Sequence, residues 1–176
     1  GRDMSWREML CQKKFYGMCA MLLCGGLSGM MVISSASDMA QVEAGFSPAA
    51  AALMVSVLSL FNAGGRASAG ILSDKLGRIG TLSLVFPISV AALCALFFFG
   101  QDSMAVFAVS IALVGACFGA LMGIFPGFTA DEFGQRNNTV NYGILFFGFA
   151  LSGMLGPQVA SWVMSGTGSY RSAFLI

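Results

Sequence analysis

Long, nearly uncharged apolar runs are the feature that most constrains how this chain can fold. Five can be read in full, and each is close to the roughly 20 residues that an α-helix needs to cross a bilayer. The runs are continuous, whereas the strands of a membrane barrel alternate between apolar and polar residues. The sequence therefore predicts an all-α membrane protein with spans at about 15–37, 48–73, 81–100, 104–129 and 140–164.

The segments outside these runs complete the domain organisation. We interpret residues 1–14 as a polar lead-in and residues 15–176 as one bundle of transmembrane helices. A sixth run opens near Tyr170 and stops at Ile176, so we expect residues 170–176 to be a truncated span.

Composition excludes several classes of function. Hydrophobic residues make up 57% of the chain and charged residues 10%, against about 25% charged in a typical soluble domain. The surrounding solvent must be a lipid bilayer. A net charge of +1 leaves no basic patch for nucleic acid, and the absence of histidine removes most zinc sites. We expect neither a metal nor a cofactor, and no enzyme constellation is visible.

The basic residues are placed at alternate loops. They are Arg2, Arg7, Lys13 and Lys14 before the first run, Lys75 and Arg78 after the second, and Arg136 after the fourth. The intervening loops contain Asp38, Glu43 and Asp102 but no lysine or arginine, and Arg171 is the exception. By the positive-inside rule, the amino-terminal end is cytoplasmic. We expect a multi-pass protein of the plasma (inner) membrane.

Local signals mark helix starts and close packing. Ser47-Pro48 predicts a capped start of the second span, and Asn137-Asn138-Thr139 a similar start of the fifth. Glycines recur every four residues in the fourth run, which indicates a smooth face for a neighbouring helix, for packing, gating or both. They are Gly115, Gly119, Gly123 and Gly127. Kinks are expected near Pro87, Pro126 and Pro157.

Arg66 is the charged residue deepest inside a run. A cation there costs about 2.5–3.5 kcal/mol on insertion scales, so it can hardly face lipid. Ser59, Asn62, Arg66 and Ser73 share one helix face, which should meet a watery cavity or another helix. Arg66 either holds an anion, whose carboxylate a guanidinium matches in bidentate fashion, or forms a buried ion pair. With no carboxylate inside the runs, anion exchange or facilitated passage fits more simply than proton coupling.

The segment Gly70-Ile71-Leu72-Ser73-Asp74-Lys75-Leu76-Gly77-Arg78 resembles the loop signature of the major facilitator superfamily. Together with the lead-in Met4–Leu10, it implies helices 7 to 11 and the start of helix 12 of a twelve-helix fold. The amino-terminal half would then be missing, and residues 1–14 would come from the central loop. The resemblance implies that Gly70, Asp74, Lys75, Gly77 and Arg78 form a conformational signature loop.

Two interpretations of these charges stay open. Asp74 could meet the start of helix 11, and Lys75, Arg78, Asp131, Glu132 and Arg136 could form a charge cluster that opens when the halves rock. Alternatively, the charges are solvated anchors.

A narrower resemblance, to the oxalate/formate antiporter family, covers nearly the whole chain. It is carried by Phe61–Arg66, Phe125-Pro126, Glu132-Phe133-Gly134 and Asn141-Tyr142-Gly143. It implies that Arg66 is a substrate-carboxylate ligand. The lysine that the oxalate exchanger has on helix 11 falls at or near Phe149 here, which favours a monocarboxylate over a dianion.

We therefore expect a carrier of small organic anions that works by alternating access, with pyruvate, lactate or formate as substrates, or oxalate/formate exchange. Arg66 would bind the anion, Asn62 would support it, and Tyr142, Phe146, Phe149, Phe118 and Phe125 are candidate cavity walls. The first alternative is a carrier of another solute class, such as sugars, nutrients or drugs. A helical membrane enzyme or a non-transporting sensor is a distant third.

Overall fold

The computed structural model describes residues 3–100, 103–170 and 172–173, and this part of the chain is helical. The helices are α1 (Trp6–Leu10), α2 (Lys13–Val42), α3 (Pro48–Leu76), α4 (Arg78–Phe99), α5 (Met104–Phe133), α6 (Asn138–Leu145) and α7 (Phe147–Thr167). Predictions that concern Arg2, Asp102, Arg171 and residues 174–176 lie outside the described residues.

The five predicted spans are confirmed as helices long and apolar enough to cross a membrane, with α6 and α7 together forming the fifth. Their ends lie within a few residues of the predicted ones, except that α2 continues to Val42, five residues past Ser37. The start of α3 is as predicted: Ser47 is the N-cap, its side chain accepts from the Ala50 N–H, and Pro48 is the first helical residue.

Three prolines lie inside helices and one span is interrupted. Pro87, Pro126 and Pro157 are within α4, α5 and α7, as expected from the sequence. The fifth span breaks at Phe146, which separates the eight-residue α6 from α7. The Phe146 N–H still donates to Tyr142, and the Phe146 carbonyl accepts from the Ala150 N–H. The break is therefore a local irregularity and not an open loop.

Helix α5 is the packing centre of the bundle. The predicted glycine row faces α3, where Cβ atoms at Gly115, Gly119 and Gly123 would overlap main-chain carbonyl groups of that helix. Without Cβ atoms the two backbones approach at van der Waals distance. The row therefore fixes α3, the helix that carries Arg66, against α5.

The two ends of the bundle differ in charge. At one end, which we call the basic end, Lys14 pairs with Glu132 at 2.6 Å and Arg78 pairs with Asp131 at 2.8 Å. The lead-in also docks there, because the Met4 N–H donates to the Phe133 carbonyl over 2.9 Å.

At the opposite end of the bundle, which we call the acidic end, the structure differs from two predictions. Asp38 lies inside α2, not in the following loop, and Glu43 is buried with 8% of its surface exposed. The carboxylate of Glu43 accepts from the Ser169 hydroxyl at 2.7 Å and from the Tyr170 N–H. Glu43 is shielded from solvent although it lies between two spans, because the segment after α7 folds back over the end of α2.

Candidate functional site

Arg66 lies on an open face of α3, ten residues before the helix ends at Leu76. Its side chain borders a depression of about 480 Å³, which is also lined by Ser59, Asn62, Ala63 and Ala67. Three of the four residues of the predicted polar stripe thus line one surface. The residues that line the depression all belong to α3, so it is an open surface that a solute could reach.

Ser73, the fourth residue of the predicted stripe, does not join the others. It is 2% exposed, donates to the Gly70 carbonyl at 2.8 Å and accepts from Arg78. Helical spacing placed it on the same face, but the neighbouring start of α4 covers that end of the helix. The polar stripe therefore ends at Arg66.

The side chain of Arg66 has no ion pair and no hydrogen bond with any residue that the structure describes. An arginine this far inside a membrane-length helix requires a counter-charge or water. Within the described chain the ion-pair alternative therefore lacks a partner, and the guanidinium is available to an anion.

Tyr142, another predicted site residue, stands on α6 and is half-buried, whereas Arg66 stands on α3. Tyr142 is not among the residues that line the depression at Arg66. Its role as a cavity wall stays a prediction.

The predicted aromatic walls form a continuous row of ring contacts. Ring centroids are 5.5 Å apart for Tyr142 and Phe146, 4.7 Å for Phe146 and Phe149, and 5.7 Å for Phe149 and Phe118. Distances of this size are typical of favourable aromatic pairs. The row runs from α6 through the break into α7 and ends on α5.

The remaining candidate wall, Phe125, is differently placed. It is fully buried and contacts Phe128 with ring centroids 5.9 Å apart. It belongs to the apolar cluster at the basic end and offers no surface to a solute. Phe118 is also largely covered, because its ring packs on Gly29 of α2.

Arg78 is the centre of the predicted signature loop. It donates to Asp74 at 2.7 Å, to Asp131 at 2.8 Å and to the buried Ser73 hydroxyl. Its guanidinium lies on Gly127, where a Cβ atom would come within 2.8 Å of Nη2. One side chain thus joins the end of α3, the start of α4 and the end of α5.

The other signature residues have separate roles. Gly77 has φ +79°, a conformation that favours glycine and lets α4 start immediately after α3. Lys75 is exposed and makes no ion pair with the described residues, so it does not join Arg78. The contact of Asp74 with the start of the fifth span stays a prediction, since the partner recorded for Asp74 is Arg78.

The remaining charges of the predicted cluster are dispersed. Glu132 pairs with Lys14 of α2, and the backbone N–H of Arg136 donates to Asp3 at 3.1 Å. These contacts tie the basic end to the lead-in and α2. They do not add to the group around Arg78.

Sequence reasoning missed a group of asparagines at the start of α6. Asn137 is the N-cap by position but makes no side-chain cap bond, so the capping prediction is wrong in its chemistry. Its amide and that of Asn141 instead donate to the Met4 carbonyl, each at 3.1 Å. Asn138 donates to the Pro126 carbonyl at 3.3 Å. No local pattern signals the two bonds to Met4, because that acceptor lies more than a hundred residues away in the sequence.

Known proteins resemble this chain along most of its length. The family model of the Major Facilitator Superfamily matches residues 3–157. YhjX of Escherichia coli K12, described as an uncharacterized MFS-type transporter, is 34% identical over 150 residues, which cover 85% of this chain and 37% of that protein.

Two further relatives carry names that state a substrate. The oxalate:formate antiporter of Oxalobacter formigenes is 25% identical over 175 residues, covering 99% of this chain and 41% of the antiporter. Monocarboxylate transporter 12 of Xenopus laevis is 26% identical over 137 residues, covering 77% of this chain and 30% of the transporter. The chain thus spans well under half the length of these relatives.

Proposed function

Because the chain belongs to the Major Facilitator Superfamily, we propose that it is the carboxyl-terminal half of a carrier for small organic anions. Monocarboxylates such as pyruvate, lactate or formate are the substrates that fit best, with oxalate/formate exchange as a related activity. The observation that carries the proposal is the exposed guanidinium of Arg66, which has no ionic partner among the described residues and borders an open depression.

Arg66 supplies the charge that an anion requires. A guanidinium presents two parallel N–H donors to a carboxylate, and such charge-assisted bonds are about twice as strong as neutral ones. The neighbouring Asn62 and Ser59 add neutral hydrogen-bonding groups to the same depression. A bound carboxylate would at the same time offset the cost of holding the cation inside a span.

The single cation favours a monoanion over a dianion. Phe149 stands at or near the place where the resemblance to the oxalate exchanger leads one to expect a lysine. The half-buried rings of Tyr142, Phe146 and Phe149 would offer apolar surface that suits a short hydrocarbon tail. The names of the relatives include an oxalate:formate antiporter and monocarboxylate transporters, which supports a small carboxylate as the substrate class.

Alternating access provides the mechanism. The residues that line the depression at Arg66 all belong to α3, so the missing amino-terminal half would close it from the facing side. The Arg78 group lies at the basic end, where its bonds to Asp74 and Asp131 would hold one conformation. We place this end in the cytoplasm of a cell whose plasma (inner) membrane holds the carrier, following the positive-inside rule.

The experiment compares Arg66→Ala and Arg66→Lys in the full-length carrier, with uptake of radiolabelled pyruvate, lactate and formate and the amount of folded carrier in the membrane as readouts. Lysine keeps the charge but loses the planar pair of donors, so it should restore uptake poorly. Lys13→Ala is the control, because Lys13 is an exposed cation at the helix end. Normal abundance with uptake lost in both Arg66 variants supports the ligand role.

Three outcomes would contradict the proposal. Uptake that survives in Arg66→Ala would exclude Arg66 as the anion ligand. Uptake that simply follows abundance, and that lysine restores, would make Arg66 a structural ion-pair partner. If the full-length protein took up a neutral solute and did not transport carboxylates, it would be a carrier of another solute class.

A further inference from the structure

The depression at Arg66 contains two further polar side chains, Asn62 and Ser59, which stand one and two turns before the arginine on α3. Side chains on a helix lean toward its amino-terminal end, and the helix rises about 1.5 Å per residue. The long side chain of Arg66 therefore extends toward Asn62. Ala63 and Ala67 complete the lining, and their small side chains leave the space beside the polar groups open.

The amide of Asn62 has a definite orientation. A Cβ atom at Gly119 of α5 would come within 3.0 Å of Asn62 Oδ1, so the amide oxygen lies against this glycine. The Cα–H group of a glycine is a weak donor and cannot accept, so the oxygen and not the nitrogen belongs on that side. The Nδ2 group makes no hydrogen bond with any described residue. It is therefore free to donate into the depression that Asn62 lines.

Ser59 offers the complementary group. It is exposed, and its hydroxyl donates to the Val55 carbonyl at 2.8 Å. The hydroxyl proton is thereby used within α3, whereas the oxygen keeps lone pairs that can accept a hydrogen bond. Along the helix the depression thus presents an acceptor at Ser59, a donor at Asn62 and a charged pair of donors at Arg66.

We propose that Asn62 and Ser59 form a second subsite, which recognises the substituent on the carbon next to the carboxylate. In this subsite 2-hydroxy acids bind more tightly than 2-oxo acids, and both bind more tightly than unsubstituted acids. This inference rests on the proposed function, since it takes Arg66 as the ligand of the carboxylate. It deepens that function because the charge of Arg66 alone would attract all small monoanions alike.

A 2-hydroxy acid uses all three groups. Its carboxylate binds the guanidinium of Arg66, its hydroxyl oxygen accepts from Asn62 Nδ2, and its hydroxyl proton is donated to Ser59 Oγ. A 2-oxo acid also accepts from Asn62, but it has no proton to donate, so Ser59 stays unpaired. An unsubstituted acid leaves both side chains unpaired. Displacing water from a polar group without replacing its hydrogen bond weakens binding.

The test compares lactate, pyruvate and propionate, which are monoanions of equal chain length that differ in the group on carbon 2. The measurement is the concentration of each unlabelled acid that halves the uptake of trace radiolabelled pyruvate by the full-length carrier. We expect this concentration to be about fivefold lower for lactate than for pyruvate, and about fivefold lower for pyruvate than for propionate. Each step has the size that one neutral hydrogen bond contributes.

Two substitutions separate the two hydrogen bonds. Asn62→Leu keeps the size of the side chain and removes the donor, so pyruvate should lose its advantage over propionate. Ser59→Ala removes the acceptor, so lactate should lose its advantage over pyruvate, while pyruvate keeps its advantage over propionate. The ratios between acids within one variant do not depend on how much of that variant folds.

Ser68→Ala is the matched control. Ser68 is also exposed on α3 and donates to a carbonyl one turn back, that of Gly64 at 2.8 Å, but it does not line the depression. Its removal should leave both ratios within about twofold of those of the unmodified carrier, as expected for a surface substitution away from the site. A readout without transport is the rise in Tm of the purified carrier with each acid, which should follow the same ranking.

The outcomes separate this inference from the proposed function. The expected ranking, lost stepwise in Asn62→Leu and Ser59→Ala and kept in Ser68→Ala, supports the subsite. Equal inhibition by the three acids overturns it, and so does a ranking that persists in both variants or that the control also removes. The proposed function survives those results if Arg66→Ala abolishes uptake. If Arg66→Ala still transports pyruvate, the proposed function fails, whereas the ranking in the other variants still decides whether the subsite exists.

Discussion

The main chain of Arg66 lies directly against Gly123 of α5, where a Cβ atom would overlap the Arg66 carbonyl oxygen. Gly119 meets the Asn62 carbonyl in the same way, and Gly115 comes within contact distance of the Leu58 carbonyl. Glycines at a spacing of four on α5 thus face residues at a spacing of four on α3. The proposed anion site is therefore built on a close backbone contact between α3 and α5.

Gly123→Ala should therefore destabilise the folded carrier by about 1–3 kcal/mol, because rigid main-chain atoms cannot move aside as a flexible side chain can. It should also lower carboxylate uptake per folded molecule, since Arg66 moves with its helix. Thermal unfolding in detergent and uptake in membranes measure the two effects separately.

Two glycine variants serve as matched controls. Gly115→Ala disturbs the same interface at Leu58, which does not line the depression, so stability should fall while uptake per folded molecule stays close to normal. Gly17→Ala meets nothing within 4 Å and should be neutral or slightly stabilising. Equal losses of specific uptake in Gly115→Ala and Gly123→Ala would contradict a local effect on Arg66.

Arg78→Ala should cost about 1–2 kcal/mol of stability, because it breaks two partly exposed ion pairs and leaves the buried Ser73 hydroxyl without its donor. Arg78→Lys should recover less than half of this loss, since an ammonium cannot reach three acceptors in one plane. Thermal unfolding of the purified full-length carrier is the measurement.

Lys75→Ala is the control for this series. Lys75 belongs to the same signature loop but makes no ion pair with the part of the chain that the structure describes. Its removal should leave stability within about 0.5 kcal/mol of the unmodified carrier. A loss as large as that of Arg78→Ala would show that the loop responds to total charge and not to the bonds of Arg78.

The orientation can be tested by thiol labelling on a background without native cysteines. Ala49→Cys, at the exposed start of α3, should react with an impermeant reagent added outside intact cells. Gln135→Cys, exposed at the basic end, should react only after the membrane is opened. Glu43 itself is unsuitable for labelling because it is buried. If Gln135→Cys reacted from outside and Ala49→Cys only after the membrane is opened, the assigned orientation of the chain in the membrane would be reversed.

Residues 1–176 alone should not transport. The depression at Arg66 lacks a facing wall, and carriers of this type form their site between two repeats. The measurement is saturable uptake of radiolabelled formate by liposomes that contain the purified chain, with the full-length carrier as the positive control. Saturable uptake by the chain alone would contradict the interpretation as half of a carrier. The chain would then be a small carrier that assembles from identical copies.

Much of the fold was predictable because a bilayer imposes simple rules. Five spans follow from the length of apolar runs, since every main-chain polar group in lipid must be bonded within a helix. The cap at Ser47 and the glycine row on α5 are local patterns as well, and both occur as predicted. The exceptional position of Arg66 follows from hydropathy alone.

The errors have a common origin in contacts between distant segments. Glu43 was expected in a polar loop, yet it is buried under Ser169 and Tyr170. Asn137 was expected to cap its own helix, but its amide finds the Met4 carbonyl. Ser73 was assigned to the polar stripe and is instead bonded to Arg78. A polar side chain near a helix end has several partners within reach, and their choice depends on which helices lie beside it.

The sequence by itself determined that the surrounding solvent is lipid, the number of complete spans, and which helix carries the cation deepest inside a span. Each of these depends on composition and spacing along a single helix. Only the tertiary structure decided that Arg66 borders an open depression and that four aromatic rings form one row. It also decided that the lead-in fastens α6. These relationships join residues of different helices, and apolar spans can pack in many ways until side-chain shape and buried hydrogen bonds select one.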